Sequence, residues 1–337
     1  GSDSAAGTPL WWCEAGNKVP RHKHFTGSNE SPVVIRAARN DYEAFQMVVC
    51  PGEDIRSLKV DISNLVHADD PQAIISCDEI AVSHAYYHYV KYPTDATGLI
   101  DYWPDALPPL DNEIGLDIAA DRNQPIWLTV HIGEDVKAGT YRGLVALTSG
   151  SGFSAEFPFE VRVWDFSLPK RNHLKTAFGL NAGTIFSYHN CKTEADRHAV
   201  MNLYFENFAR HRISPYDPTP LDPIRVAWKP DADPPHAEVD FTAFDAAMRE
   251  SVEKYHFNAF RLPLQGMGGG TFHDRYEPEI AGYGADTPEY QAMFSDYVGK
   301  IEKHLEENGW LDMAYVYWFD EPDPKDYQFV ADGMQRL

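Results

Sequence analysis

The stretch "MAYVYWFDEPDPKDY", Met313 to Tyr327, runs an apolar and aromatic series straight into two adjacent carboxylates, Asp320 and Glu321, and then into Pro322. A regular strand would set Tyr315, Tyr317, Phe319 and Glu321 on one face and Val316, Trp318 and Asp320 on the other. Adjacent like charges repel and lose hydration when buried, so a purely structural role demands cations or hydrogen-bond donors for each acid. No Lys or Arg follows before Lys325. Both acids reach one pocket only if the chain leaves strand geometry at Asp320, through a bulge or through the turn imposed ahead of Pro322.

Working outward, strand-like and helix-like segments alternate upstream of this stretch. "KTAFGLN" precedes "TEADRHAVMNLYFENFARH", and "RISPYDP" precedes, after a loop rich in Pro and Asp, "DFTAFDAAMRESVEKYH". "FNAFRLPL" then precedes "TPEYQAMFSDYVGKIEKHLEENG", where Met293, Tyr297, Ile301 and Leu305 recur every four residues behind the start signal Thr287, Pro288 and Glu289. Such a βα repeat, with no GxGxxG after its first strand, favours a (β/α)8 barrel over a dinucleotide-binding sheet. A complete barrel takes roughly 250 residues, more than this half of the chain contains. The expectation is therefore the first half of a (β/α)8 TIM-type barrel, cut from a longer enzyme, with a smaller open α/β sheet as the other fit.

The preceding half has a different character. Short apolar runs such as "SPVVIRAARNDYEAFQMVVC", "IRSLKVDISNL" and "FSAEFPFEVRVWDF" are separated by turn residues, and Phe157, Phe159, Val161 and Val163 alternate with Glu160 and Arg162. This pattern predicts an N-terminal antiparallel β-sandwich, with "SGSG" at 149–152 as a hairpin turn. Pro169, Lys170 and Arg171 form a polar hinge, so the expected domains are residues 1–168, the sandwich, and 169–337, the partial barrel.

Composition narrows the partners. Asp plus Glu outnumber Lys plus Arg by 51 to 29, leaving a formal charge of −22 that repels nucleic-acid phosphates and anionic membranes. No apolar run is long enough for a membrane span. The opening "GSDSAAGTP" reads as a cloning remnant on a polar tether from which an export signal has been removed, giving a secreted, periplasmic or cell-surface location. Cys13, Cys50, Cys77 and Cys191 lack metal-like spacing and read as free thiols. No cofactor motif is present: "GMGGG" at 266–270 lacks the Lys-Ser/Thr of a phosphate loop and reads as a flexible loop at a pocket mouth. His84 and His88 have metal spacing only on a helix, whereas their neighbours read as strand, so no metal is expected.

In a (β/α)8 barrel the working residues lie at the C-terminal strand ends, where Asp320 and Glu321 fall. Two close carboxylates push their ionisation apart, leaving one as a proton donor and the other as an anion, the division of labour that glycoside cleavage requires. The plain alternative is an exposed acidic strand end or a helix cap. Position alone adds Asn181 after the first strand, Tyr216 and Asp217 after the second and Gln265 after the third as hydroxyl-binding candidates. Trp318 is a candidate stacking wall for a sugar, while Tyr315 and Tyr317 read as core aromatics.

The segments "WWCEAGNKVPRH", "VIRAARNDYEAFQMVV", "QPIWLTVHIGEDVKAGTYRGLV", "VRVWDFSLPKRNHLKTAFGL" and "YVYWFDEP", in this order, resemble glycoside hydrolase family 123 and its close relatives of unassigned function. The resemblance implies a β-sandwich followed by a (β/α)8 barrel, a glycan substrate ending in a β-linked N-acetylhexosamine of the galacto series, and a retaining mechanism. In that mechanism the substrate's own 2-acetamido oxygen attacks the anomeric carbon. By the same resemblance Asp320 orients the acetamido group and Glu321 is the acid and then the base. Other sugar specificity, or a non-catalytic carbohydrate-binding protein, are the rival readings.

Overall fold

The computed structural model describes residues 10–22, 27–28, 32–96 and 98–337, so the opening tether lies outside the described residues. The chain divides into two compact units, Gly1–Pro169 and Lys170–Leu337.

The first unit is built of strands: β1 (Leu10–Glu14), β2 (Val33–Arg39), β3 (Asp41–Val49), β4 (Ile55–Ile62), β5 (Leu65–His67), β6 (Asp70–Ile75) and β7 (Ile80–His84). Next come β8 (Tyr87–Val90), β9 (Asp101–Pro104), β10 (Leu116–Ile118), β11 (Gln124–Ile132), β12 (Gly139–Thr148) and β13 (Ser154–Ser167). Among the described residues, one sheet has the order β1-β3-β11-β7 and the other β10-β4-β12-β13-β2, with β5 and β6 appended through β12. Their inner faces share one core, in which the Phe45 and Phe159 rings meet at 5.9 Å. The alternation in β13 is realised: Phe157, Phe159, Val161 and Val163 are buried, and residues 149–152 close the hairpin with Gly152 at φ 90°.

The sandwich departs from the antiparallel expectation at one edge, where β2 runs parallel to β13. Asn40, at φ 55°, turns the chain so sharply that β2 and β3, although consecutive, join different sheets. Asn tolerates this left-handed backbone better than most side chains. Glu160 also departs from its expected outward exposure. Its carboxylate is almost buried and accepts from Arg142 Nε at 3.1 Å and Arg162 Nε at 2.8 Å.

In the second unit the helices are α1 (Ala182–Tyr188), α2 (Glu194–Arg210), α3 (Thr242–Glu253), α4 (Pro288–Glu307) and α5 (Tyr327–Gln335). Helix α4 starts as its sequence dictates, with the Thr287 side chain accepting from the Tyr290 N–H and Pro288 in the first turn. Its Met293, Tyr297, Ile301 and Leu305 are buried in the unit's main core.

The strands of this unit are short: β14 (Arg225–Lys229), β15 (His236–Asp240), β16 (Phe260–Arg261), β17 (Gly269–Thr271), β18 (Arg275–Tyr276), β19 (Glu279–Ile280), β20 (Tyr283–Gly284), β21 (Ala314–Tyr315) and β22 (Phe319–Asp320). Between the helices, four segments lie side by side in chain order, the first pair and the last pair running parallel. Phe178 bridges Pro215, Arg261 N donates to Tyr216 O at 2.8 Å, and β16 pairs with β21. The first two segments are single bridges rather than full strands.

Candidate active site

Tyr216 and Asp217 follow the second segment, Arg261 closes the third, and the acids come shortly after the fourth. Strand β22 ends at Asp320, which pairs in register with Thr271 of β17. The next residue, Glu321, has φ 45°, a left-handed backbone uncommon for a non-glycine residue. The chain thus leaves strand geometry between the acids, the condition for both carboxylates to serve one site, and both are exposed.

The Tyr317 hydroxyl donates to Asp320 Oδ1. That hydrogen bond is the main reason the Tyr317 phenol is pushed up to about 12, and the Asp320 charge and partial desolvation act in the same direction. Tyr317 therefore remains a donor at neutral pH. Beside it, the Tyr216 ring lies 6.3 Å from that of Tyr317 and 6.4 Å from that of Tyr315. The Arg261 guanidinium sits 5.8 Å from the Tyr216 ring centre. Asp217 accepts from the Thr219 N–H at 2.9 Å, and burial pushes its carboxyl above the ordinary range despite the opposing pull of Arg261. Arg261 Nε and the Tyr315 hydroxyl are buried without a hydrogen-bond partner.

Two aromatic assignments reverse. Trp318, expected as a sugar wall, packs its ring 5.3 Å from Phe329 of α5, with Gly333 beneath it. Tyr317, expected in the core, is 45% exposed and holds Asp320. Residues 316–318 lie outside regular strand, between β21 and β22, so simple alternation does not carry through them.

The other candidates separate. Tyr216 and Asp217 join the cluster around Arg261. Asn181 is the N-cap of α1, its Oδ1 accepting from the Thr184 N–H at 2.9 Å. Gln265 is exposed, and its backbone N–H donates to Tyr297 Oη at 3.3 Å. "GMGGG" is in part strand rather than loop: Gly269 and Gly270 belong to β17, between β18 and the acid-bearing β22. A Cβ on Gly269 would stand 2.8 Å from Trp318 O, and one on Gly270 2.2 Å from Asp274 O, so the glycines permit this close backbone approach. Arg261 and Tyr317 were the residues missed; a lone Arg inside the apolar run "FNAFRLPL" was the available signal. Among the described residues no group of three or more His, Cys, Asp or Glu is placed to hold a metal ion, and the four cysteines are free thiols.

Residues 20–149 match the model of the Glycoside hydrolase 123 N-terminal domain, which relates the chain to glycoside hydrolase family 123. Among solved structures the chain is similar to a family 123 glycoside hydrolase from Clostridium perfringens, described for glycolipid glycan hydrolysis, with a TM-score of 0.64 and 14% identity. That likeness covers 97% of this chain and 61% of the other, so the chain spans about three fifths of that enzyme's length. At this identity it shows the fold. The fimbrial subunit MyfA of Yersinia enterocolitica, solved with galactose, also matches, at 13% identity over 47% of this chain and 99% of its own, but with a TM-score of only 0.24. No curated protein matches the sequence.

Proposed function

We propose that this chain carries the acid–base centre of a retaining glycoside hydrolase that releases β-linked N-acetylgalactosamine, with the substrate's acetamido group as nucleophile. The observation that carries the reading is the adjacent pair Asp320 and Glu321, split by a left-handed residue at the end of a parallel strand and anchored by Tyr317. The relationship to glycoside hydrolase family 123 supports the reaction class. The four adjacent segments in chain order, with parallel pairing in the first and last pairs, support reading this unit as the first half of a (β/α)8 barrel, whose working residues gather at the C-terminal strand ends. A secreted, periplasmic or cell-surface setting fits such a substrate.

In this mechanism the acetamido carbonyl oxygen attacks the anomeric carbon while the glycosidic C–O bond breaks, and Glu321 gives its proton to the departing oxygen. Asp320 accepts the acetamido N–H and stabilises the positive charge of the oxazolinium. Tyr317 occupies Oδ1 of Asp320, leaving Oδ2 for the substrate. Water then adds to the anomeric carbon, Glu321 takes its proton, and the acetamido group is restored.

Glu321→Gln tests the proton donor. Turnover of substrates with poor leaving groups should fall by about two to four orders of magnitude, and aryl glycosides with acidic phenols should suffer much less. Equal losses across the series would remove Glu321 from this role.

A further inference from the structure

The first unit holds a cleft of about 210 Å³ lined by Arg21, Asp54, Arg56, Asp117, Arg122 and Gln124. Its cations differ in state. Arg56 is committed, with Nη2 2.8 Å from Asp54 and Nη1 2.8 Å from Asp117. Arg21 and Arg122 have no carboxylate partner among the described residues.

These two residues are remote in sequence and are brought together by a built support. Asn123, 4% exposed, donates from Nδ2 to Pro20 O at 2.6 Å and from its backbone N–H to Arg21 O at 3.0 Å. Asp121, at φ 55°, turns the chain ahead of Arg122 and donates its N–H to Pro51 O at 2.8 Å. The Arg21 guanidinium lies 4.3 Å from the Tyr102 ring centre, and the nearby Tyr87 hydroxyl donates to Val19 O at 2.9 Å. A ring face steadies a guanidinium but satisfies none of its five N–H donors. Arg21 is therefore held in place with its planar edge unspent, the arrangement that recognises a carboxylate through paired hydrogen bonds.

The rest of the lining sets the ligand class. Three arginines against two aspartates leave this cleft locally positive in a chain of formal charge −22. The surrounding acidity disfavours polyanions such as nucleic acid, while a single negative charge meets the local attraction. Asp54 and Asp117 keep acceptor capacity for hydroxyl groups, since a carboxylate offers about four lone-pair sites. The volume is below the roughly 300–1,000 Å³ typical of drug-sized ligands and suits one sugar ring.

We propose that this cleft binds a single carboxylated sugar unit, such as a terminal uronic acid, with its carboxylate on Arg21 and Arg122 and its ring hydroxyls on Asp54 and Asp117. The cleft is lined by residues of the first unit alone, and its two aspartates are engaged with Arg56, so it is assigned binding and not cleavage.

The test is calorimetric titration of the protein with methyl β-D-glucuronide and, separately, methyl β-D-glucoside at low and high salt. The glucuronide should bind at least about tenfold more tightly than the glucoside and weaken with salt. Arg122→Gln, an exposed change, should weaken glucuronide binding about tenfold without shifting the melting temperature, and Arg21→Lys should weaken it although the charge is kept. Equal affinity for the two glycosides, full affinity in R122Q, or no binding of the glucuronide would each overturn the proposal.

Discussion

At the residue scale the site turns on Glu321, which sits at φ 45° where most side chains are strained, and on Tyr317, which fixes Asp320. A hydrogen bond to a charged group contributes roughly 1.5–3 kcal/mol, and the 45% exposure of Tyr317 places this one at the low end. Tyr317→Phe should therefore lower kcat about tenfold on 2-acetamido substrates and change KM little, because Asp320 loses its orientation while the sugar pocket keeps its shape. A raised KM with kcat intact would assign Tyr317 to binding instead. The acid pair stands out in the sequence because two carboxylates at the end of an apolar run have no inexpensive structural use. The environments of Trp318 and Tyr317 were not legible because the strand is interrupted over residues 316–318, so which aromatic packs on α5 is set by tertiary contacts.

At the element scale, α4 was readable down to its cap because its core stripe and start signal are local properties of the sequence. Strands β14 and β15 were not. They lie in a segment whose Pro and Asp content reads as loop, and they form a strand pair only through register with each other, Arg225 opposite Asp240 through Lys229 opposite His236. The same holds for β17, where the glycines mark close backbone packing. Helix α5 is fitted to the site-bearing segment through Gly333, where an added Cβ would stand 2.2 Å from the Trp318 ring. Gly→Ala inside a helix ordinarily gains about 1 kcal/mol, whereas overpacking costs about 1–3 kcal/mol. The clash is deep enough for the second effect to win. Gly333→Ala should lower the denaturant midpoint, and a stabilised variant would show that Trp318 has room to move.

At the scale of the whole molecule, composition and the change of pattern near residue 169 carried the division into a β-rich half and an α/β half. The sheet order, including parallel β2 beside β13, rests on pairings between distant segments that no local pattern records. Within the β-rich half, Glu160 is held below the ordinary glutamate range chiefly by the hydrogen bond from Arg162, with Arg142 of the neighbouring strand adding to it against a desolvation penalty. The stability it supplies is present above the unfolded glutamate pKa and is lost as pH falls through its lowered folded value. Glu160→Gln should be about 1–2 kcal/mol less stable than the parent at pH 7, a figure reduced by the exposure of both arginines, with the gap closing in acid. A gap that is constant with pH would mean that the carboxylate charge contributes nothing.

The central claim is that the attacking atom belongs to the substrate, delivered to an acid pair that protonates and orients but does not form a bond to sugar. It is tested most directly by comparing kcat/KM on 4-nitrophenyl β-N-acetylgalactosaminide with that on the matching 4-nitrophenyl β-galactoside. Removing a well-oriented internal nucleophile forfeits a rate advantage of many orders of magnitude, so the 2-hydroxy substrate should be slower by at least about a thousandfold. Comparable rates on the two substrates would contradict the account and assign the nucleophile to the protein.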